Sequence, residues 1–130
     1  MTFCLILASP DLGDTTLPRL KDLLLSETRL QSLKWLACYI GADRFSFTNE
    51  FINYRELLCL EDEGGSICEC LVEGYDVCDA RFLEMECEQR TKDAVVTLQL
   101  IDGDTWVINA RDSALIDNLR IAFSLYVRDW

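Results

Sequence analysis

The sequence predicts an α+β fold, with one domain over residues 1–130, an antiparallel sheet of about five to six strands, and helices packed on one face. Half of the 130 residues are hydrophobic, so the chain can bury a real core. Apolar residues recur at helical spacing after the first strand and again near the C-terminus, whereas the middle of the chain alternates. This grouping of strands and helices is typical of an antiparallel sheet with helices on one side.

The N-terminal third predicts a strand followed by helices. Residues 2–8 are almost continuously apolar and end at a Ser-Pro turn, which is typical of a buried strand. Leucines at helical spacing then predict helices over 17–24 and 30–40, with Gly41 as a C-terminal stop. A break between the two leucine stripes favours two helices over one long helix.

From residue 44 the apolar period changes from 3.6 toward 2, which predicts antiparallel strands. These strands lie at 45–47, 51–61, 66–73 and 76–90, with turns at Thr48-Asn49, Gly64-Gly65 and Gly74. Asp102-Gly103, between apolar runs at 95–101 and 105–110, is the strongest hairpin signal in the chain. A final helix begins at Asp112 or Ser113 and keeps its helical spacing to Trp130.

Charge is distributed very unevenly. Twelve basic and 23 acidic residues give a net charge of -11. Residues 56–93 hold twelve acids against three bases, a net charge of -9, whereas residues 1–55 sum to zero and residues 94–130 to -2. The acids of the middle segment are interleaved with apolar residues at strand-like spacing, so we expect folded structure to display them, on the solvent-facing side of the sheet.

Composition disfavours several classes of function. The chain has no histidine, which removes the commonest general base and the commonest zinc ligand. A pI near 4.3 argues against binding nucleic acid through its phosphates. We therefore expect no enzyme activity, no catalytic residue, no cofactor, no metal and no direct contact with nucleic acid.

The seven cysteines are an odd number and lie mostly within apolar runs, which indicates reduced core thiols in a cytoplasmic protein. The first residues lack the basic region of a signal peptide, and no apolar run approaches the roughly 20 residues of a membrane span. We expect no membrane partner. Five cysteines invite a zinc interpretation, but they lack Cys-x2-Cys pairs; they are Cys59, Cys68, Cys70, Cys78 and Cys87.

A small acidic domain without a catalytic set fits an inhibitor that neutralises a basic protein by covering its active or nucleic-acid-binding cleft. An immunity protein or antitoxin acts in this way on a nuclease toxin, because its acidic face complements a cleft lined with Lys and Arg. Tyr54 and Tyr75 are candidate aromatic anchors beside the acids. The acids predicted to bind the partner are Glu61, Asp62, Glu63, Glu69, Glu73, Asp76, Asp79, Glu84, Glu86 and Glu88.

Other hypotheses remain open at this point. A phage-type nucleic-acid mimic would inhibit a restriction or CRISPR effector, but nine surplus charges match only about 15 Å of duplex, so a mimic would need to dimerise or rely on shape. A zinc-binding domain or enzyme would use Cys with Asp or Glu. In a fourth hypothesis, acidity serves solubility alone and an apolar patch joins a complex. The oligomeric state and the identity of the partner are not predicted.

Overall fold

Antiparallel strands form the centre of the fold. The computed structural model describes residues 2–9, 17–42, 46–64, 67–76 and 94–128, with side chains for all of these except Phe47 and residues 62–64. The elements in chain order are β1 (Phe3–Ala8), α1 (Leu20–Leu25), a 3-10 helix (Thr28–Ser32), β2 (Lys34–Ala42), β3 (Ser46–Ile52), α2 (Tyr54–Gly64), β4 (Ile67–Tyr75), β5 (Val96–Ile101), β6 (Thr105–Ala110), α3 (Ser113–Ala122), a second 3-10 helix (Ser124–Tyr126) and β7 (Val127–Arg128).

Within the described residues, seven strands form one sheet in the order β3-β2-β4-β5-β6-β1-β7, and every neighbouring pair is antiparallel. Alternate side chains of the central strands form the main core with the helices. Val96, Leu98 and Leu100 of β5 pack there together with the buried leucines of α1 and α3. The predicted α+β fold with helices on one face is therefore confirmed, although the sheet has slightly more strands than predicted.

The opposite face of the sheet is largely uncharged. Leu36, Tyr75 and Ala94 form a small second cluster there. The strand register then aligns half-exposed side chains across the sheet, among them Leu71, Gln99, Val107 and Ile6. The acids that the described strands place on this face are Glu69 and Glu73, and Glu73 is fully buried. The expectation that acids would occupy the solvent-facing side of the sheet is therefore met by Glu69, which is exposed, and is wrong for Glu73. Most of the other acids to which it applied lie outside the described residues.

Residues 30–40 do not form the second helix that was predicted. They contain the end of the 3-10 helix and most of β2, and Gly41 lies within that strand rather than at a helix end. Leu36 and Ala37, which point to opposite faces, are both fully buried. A strand that is covered on both faces has a continuous apolar run, and such a run also matches a helical stripe.

Residues 51–61 do not form the predicted strand, because α2 begins at Tyr54 and continues to Gly64. Asn53 and Glu56 form a reciprocal cap at its start: the Glu56 backbone N–H donates to the Asn53 side chain at 2.8 Å, and the Asn53 amide donates to the Glu56 carboxylate. This Asn-x-x-Glu spacing is a capping signal that the sequence interpretation overlooked. Thr48-Asn49 is not a turn between strands, because both residues lie within β3.

Several predicted elements are confirmed: β1, α1, β4, and the β5–β6 hairpin. The turn predicted at Gly74 is wrong, because β4 continues through Gly74 to Tyr75. In the hairpin turn, Asp102 and Gly103 have φ angles of 53° and 72°, the left-handed geometry that an Asp-Gly turn favours. The predicted C-terminal helix begins where expected, since the Asp112 side chain accepts from the Ala114 N–H at 2.8 Å. It ends at Ala122 rather than continuing toward Trp130, and the second 3-10 helix and β7 follow it. Most of the predicted strand at 76–90, and Trp130, lie outside the described residues.

Candidate functional site

Two adjoining segments, the end of α2 and the start of β4, meet the distant β5–β6 turn at one end of the sheet. A cavity of about 160 Å³ has Glu61, Ile67 and Gly103 among its lining residues. A neighbouring cavity of about 410 Å³ is lined by Ile67, Gly103, Cys68, Glu69 and Asp102. These shared walls place the acids of the three segments close together.

We call this group of carboxylates the acidic end, and its members are Glu61, Glu69, Asp102 and Asp104. The side chains of Asp62 and Glu63 lie outside what the structure describes. Glu69, Asp102 and Asp104 are exposed, and the ion pairs found among described residues do not include them. Arg19 is the cation that lines the adjoining smaller cavity. The acidic end therefore presents an excess of negative charge to solvent.

Glu61 connects the acidic end to the packing of the helices. One of its carboxylate oxygens accepts from the Lys21 backbone N–H at 3.2 Å, so a residue of α2 satisfies an N–H in the first turn of α1. Burial raises the pKa of the half-buried Glu61 carboxyl, and the Lys21 N–H and the Arg19 charge oppose that rise. Glu61 thus fixes the position of α2 as well as contributing charge.

The β5–β6 turn holds its two acids in a defined place. Asp102 and Gly103 adopt left-handed backbone conformations, and the Asp104 N–H donates to the Ile101 carbonyl at 3.1 Å. The Thr105 hydroxyl also donates to the Asp104 carboxylate at 2.9 Å. The turn therefore presents Asp102 and Asp104 from a short hydrogen-bonded loop rather than from a long one.

Glu73 and Tyr75 are buried instead of lying on the predicted binding surface. The Cys38 thiol donates to a Glu73 carboxylate oxygen at 2.8 Å, and neither Glu73 nor Tyr75 exposes more than 1% of its surface. Tyr54 is half-buried, and its hydroxyl donates to the Leu24 carbonyl at 2.9 Å, while burial raises its pKa. The two tyrosines pack inside the fold and so are not exposed anchors.

The remaining predicted acids divide into two groups. Asp76 is exposed, but it follows β4 at the end of the sheet opposite the acidic end, 3.7 Å from Arg111. Four others lie outside the described residues: Asp79, Glu84, Glu86 and Glu88. From the predicted set, the structure therefore brings together Glu61 and Glu69, while the side chains of Asp62 and Glu63 are not described.

Asp102 and Asp104 belong to the acidic end but were not among the residues predicted to bind the partner. Their sequence, Asp102-Gly103-Asp104, was interpreted as a hairpin turn. Their proximity to Glu69 depends on the pairing of β4 with β5, which joins residues about 30 positions apart. The hairpin signal placed both acids at a turn, but no local pattern indicates which strand lies beside that turn.

The described cysteines are free thiols. Burial raises the pKa of Cys70 to about 12, so its thiol stays protonated at neutral pH. Among the residues that the structure describes, no cluster of three or more Cys, Asp or Glu side chains has the arrangement of a metal site. Two of the five cysteines considered as zinc ligands, Cys78 and Cys87, lie outside those residues.

Comparison of the chain with protein-family models, curated proteins and solved structures found no match. None of the helices that the structure describes is both long enough and apolar enough to cross a membrane.

Proposed function

We propose that this protein is an acidic binding protein whose acidic end contacts a basic surface on a protein partner. The observation that supports this function is the convergence of carboxylates from α2, β4 and the β5–β6 turn on one end of the sheet. Glu61 and Glu69 come from consecutive elements, and the β5–β6 turn, more than 30 positions further along the chain, adds Asp102 and Asp104. Clustered like charges repel one another, so such a cluster is best stabilised when cations meet it.

The cluster suits fast recognition of a cationic surface. Complementary potentials steer association and exclude partners of the wrong charge. The hairpin turn and the capped helix α2 hold their acids in place, which reduces the entropy that is lost on binding. A basic partner therefore gains both electrostatic attraction and a preorganised surface.

The partner that we propose is a nuclease toxin or another effector that binds nucleic acid in a cleft lined with Lys and Arg. Covering that cleft with carboxylates would exclude the phosphate backbone, which is the mechanism of an immunity protein or antitoxin. In this proposal the protein acts in the cytoplasm, has no enzymatic activity and does not bind nucleic acid itself.

Affinity capture from the source cell, followed by binding measurements with the purified partner, tests the proposal. The variant Glu69→Gln/Asp104→Asn removes two charges from the acidic end while keeping the side-chain shapes. The matched control Glu50→Gln/Asp117→Asn removes two exposed charges from β3 and α3. We expect the captured partner to be basic. The acidic-end variant should bind it at least about tenfold more weakly than wild type, with a smaller dependence of affinity on salt. The control variant should bind it with nearly the affinity of wild type.

Two results would contradict the proposed function. One is a captured partner that binds the acidic-end variant and wild type equally well at every salt concentration. The other is a partner whose contact surface is acidic or neutral. If the partner is a restriction or CRISPR effector rather than a toxin, the acidic surface is retained as the binding site, but the immunity role is replaced by that of a nucleic-acid mimic.

A further inference from the structure

A different cavity lies at the opposite end of the strands from the acidic end. Its volume is about 380 Å³, and it is formed where the first 3-10 helix, the ends of β4 and β6, the approach to β5 and the first turn of α3 converge. Sites for small ligands occupy roughly 300–1,000 Å³, so this cavity is large enough for a small metabolite.

The walls of this cavity combine an apolar floor with charges of both signs. Leu33 and Leu115 are almost completely buried, and Val95 is half-buried beside them. The charged lining residues are Arg29, Arg111, Asp76 and Asp112. Two positive and two negative groups above an apolar floor favour a ligand that carries both charges and an apolar group.

Arg29 and Asp112 are committed to each other. The Arg29 guanidinium donates to one Asp112 carboxylate oxygen, and the other oxygen accepts from the Ala114 N–H at 2.8 Å. These hydrogen bonds hold the pKa of Asp112 below its ordinary value. The pair thus joins the 3-10 helix to the start of α3 and forms a fixed wall.

Arg111 and Asp76 form a looser pair. Their closest side-chain nitrogen and oxygen are 3.7 Å apart, which is too long for a hydrogen bond, and about half or more of each side chain is exposed. The backbone of Arg111 is held in place, because its N–H donates to the Val95 carbonyl at 3.1 Å, and the Val95 N–H donates to the Gly74 carbonyl at 2.8 Å, two residues before Asp76. Hydrogen-bonding capacity therefore remains on both charged groups at the cavity.

We propose that this cavity binds a free α-amino acid with an apolar side chain. The ligand carboxylate accepts from the Arg111 guanidinium, the ligand ammonium donates to the Asp76 carboxylate, and the ligand side chain packs on Leu33, Val95 and Leu115. In an α-amino acid one carbon joins the two charges, so they match an arginine and an aspartate that lie side by side. Asp76 would repel a ligand that carries only a negative charge, and Arg111 would repel a ligand that carries only a positive charge.

This site is independent of the proposed partner-binding function, and purified protein is enough to test it. Isothermal titration with L-leucine, L-valine and L-phenylalanine is compared with isopentylamine and 4-methylpentanoate, which each lack one of leucine's two charges. The variants Arg111→Gln and Asp76→Asn change exposed cavity residues. Arg120→Gln and Asp117→Asn remove the same charges from the exposed surface of α3 and serve as matched controls.

We expect saturable binding of at least one amino acid by wild type and by both controls. Affinity falls at least about tenfold in each cavity variant, because each loses a hydrogen bond between charged groups. We expect neither single-charge analogue to bind measurably. The proposal is overturned if none of the three amino acids binds at millimolar concentration, if the cavity variants bind as well as the controls, or if the carboxylate analogue binds as tightly as leucine.

Discussion

At the scale of single residues, Glu61 shows how a charge predicted to serve binding also serves the fold. Its carboxylate lies at the acidic end and also accepts the Lys21 N–H of α1. The sequence predicted the acid but not this contact, because α2 was interpreted as a strand. A half-buried carboxylate with a raised pKa makes the stability of the protein depend on pH.

We predict that wild type gains stability relative to Glu61→Gln as the pH falls from neutral toward 4.5, the ordinary pKa of this carboxyl. Burial raises the folded-state pKa above the unfolded-state value, so the folded state binds the proton more tightly between those two values. Glutamine keeps an oxygen that accepts from Lys21 but does not titrate.

Urea unfolding of both proteins at a series of pH values measures the difference in the free energy of unfolding. The difference should favour wild type increasingly as the pH falls through this window and level off below 4.5. Glu50→Gln, which also removes one negative charge, corrects for the change in net charge. A difference that stays constant, or that moves toward the variant in acid, would mean that the Lys21 N–H and Arg19 outweigh burial.

At the scale of elements, local sequence signals were sufficient to predict a helix start or a turn where the residue pattern is typical of only one structure. Asp102-Gly103 predicted the hairpin and Asp112 predicted the start of α3, because each signal depends on hydrogen bonds or φ angles within a few residues. β2 was misassigned because strand burial on both faces is a property of the whole sheet. For α2 the Asn53-x-x-Glu56 spacing indicated the start of a helix, but the apolar run at 57–60 was interpreted as the centre of a strand.

The residues of the predicted site also divide into those that local sequence signals place and those that only long-range strand pairing places. Glu61 and Glu69 are eight positions apart in sequence and reach the acidic end from the consecutive elements α2 and β4. Asp102 and Asp104 join them only through the pairing of β4 with β5, a long-range contact. Glu73 was assigned to the surface because charged residues are mostly exposed, and sequence alternation does not show which positions of a strand are covered.

Gly74 of β4 illustrates a constraint from packing that the sequence did not reveal. A Cβ at this position would lie 2.8 Å from a Leu33 methyl group and 3.1 Å from a Val96 methyl group. We predict that Gly74→Ala lowers the free energy of unfolding by about 1–3 kcal/mol, because neighbouring core side chains have to shift.

Gly41 of β2 provides the matched comparison. A Cβ there would lie 3.3 Å from the Glu69 Cγ atom, and the exposed Glu69 side chain can move away. We expect Gly41→Ala to change stability by less than about 1 kcal/mol. Urea unfolding of both variants measures the contrast, and equal destabilisation would show that loss of glycine itself, rather than crowding at Gly74, is responsible.

At the scale of the whole molecule, the charges of the described residues differ between the two ends of the sheet. The end that contains Asp76, Arg111, Arg29 and Asp112 pairs its charges, whereas the acidic end gathers carboxylates from three segments. Part of the negative charge at the acidic end comes from Asp102 and Asp104, which belong to a segment, residues 94–130, with a net charge of only -2. Among the described residues, strand pairing as well as local composition therefore decides where these carboxylates gather.

This concentration of charge predicts a stability effect that depends on salt. At 0.01 M salt the screening length is about 30 Å, so carboxylates at the acidic end repel one another, and at 1 M it is about 3 Å, so they do so very little. Glu69→Gln/Asp104→Asn should therefore melt about 2 °C above wild type at 0.01 M salt, and the gap should close at 1 M. The control Glu50→Gln/Asp117→Asn removes the same net charge outside the acidic end and should shift the melting temperature less at low salt. Thermal unfolding of the three proteins across this salt range measures the effect. Equal shifts in melting temperature for the two variants would mean that only net charge matters. The acidic end would then not be a site of concentrated repulsion.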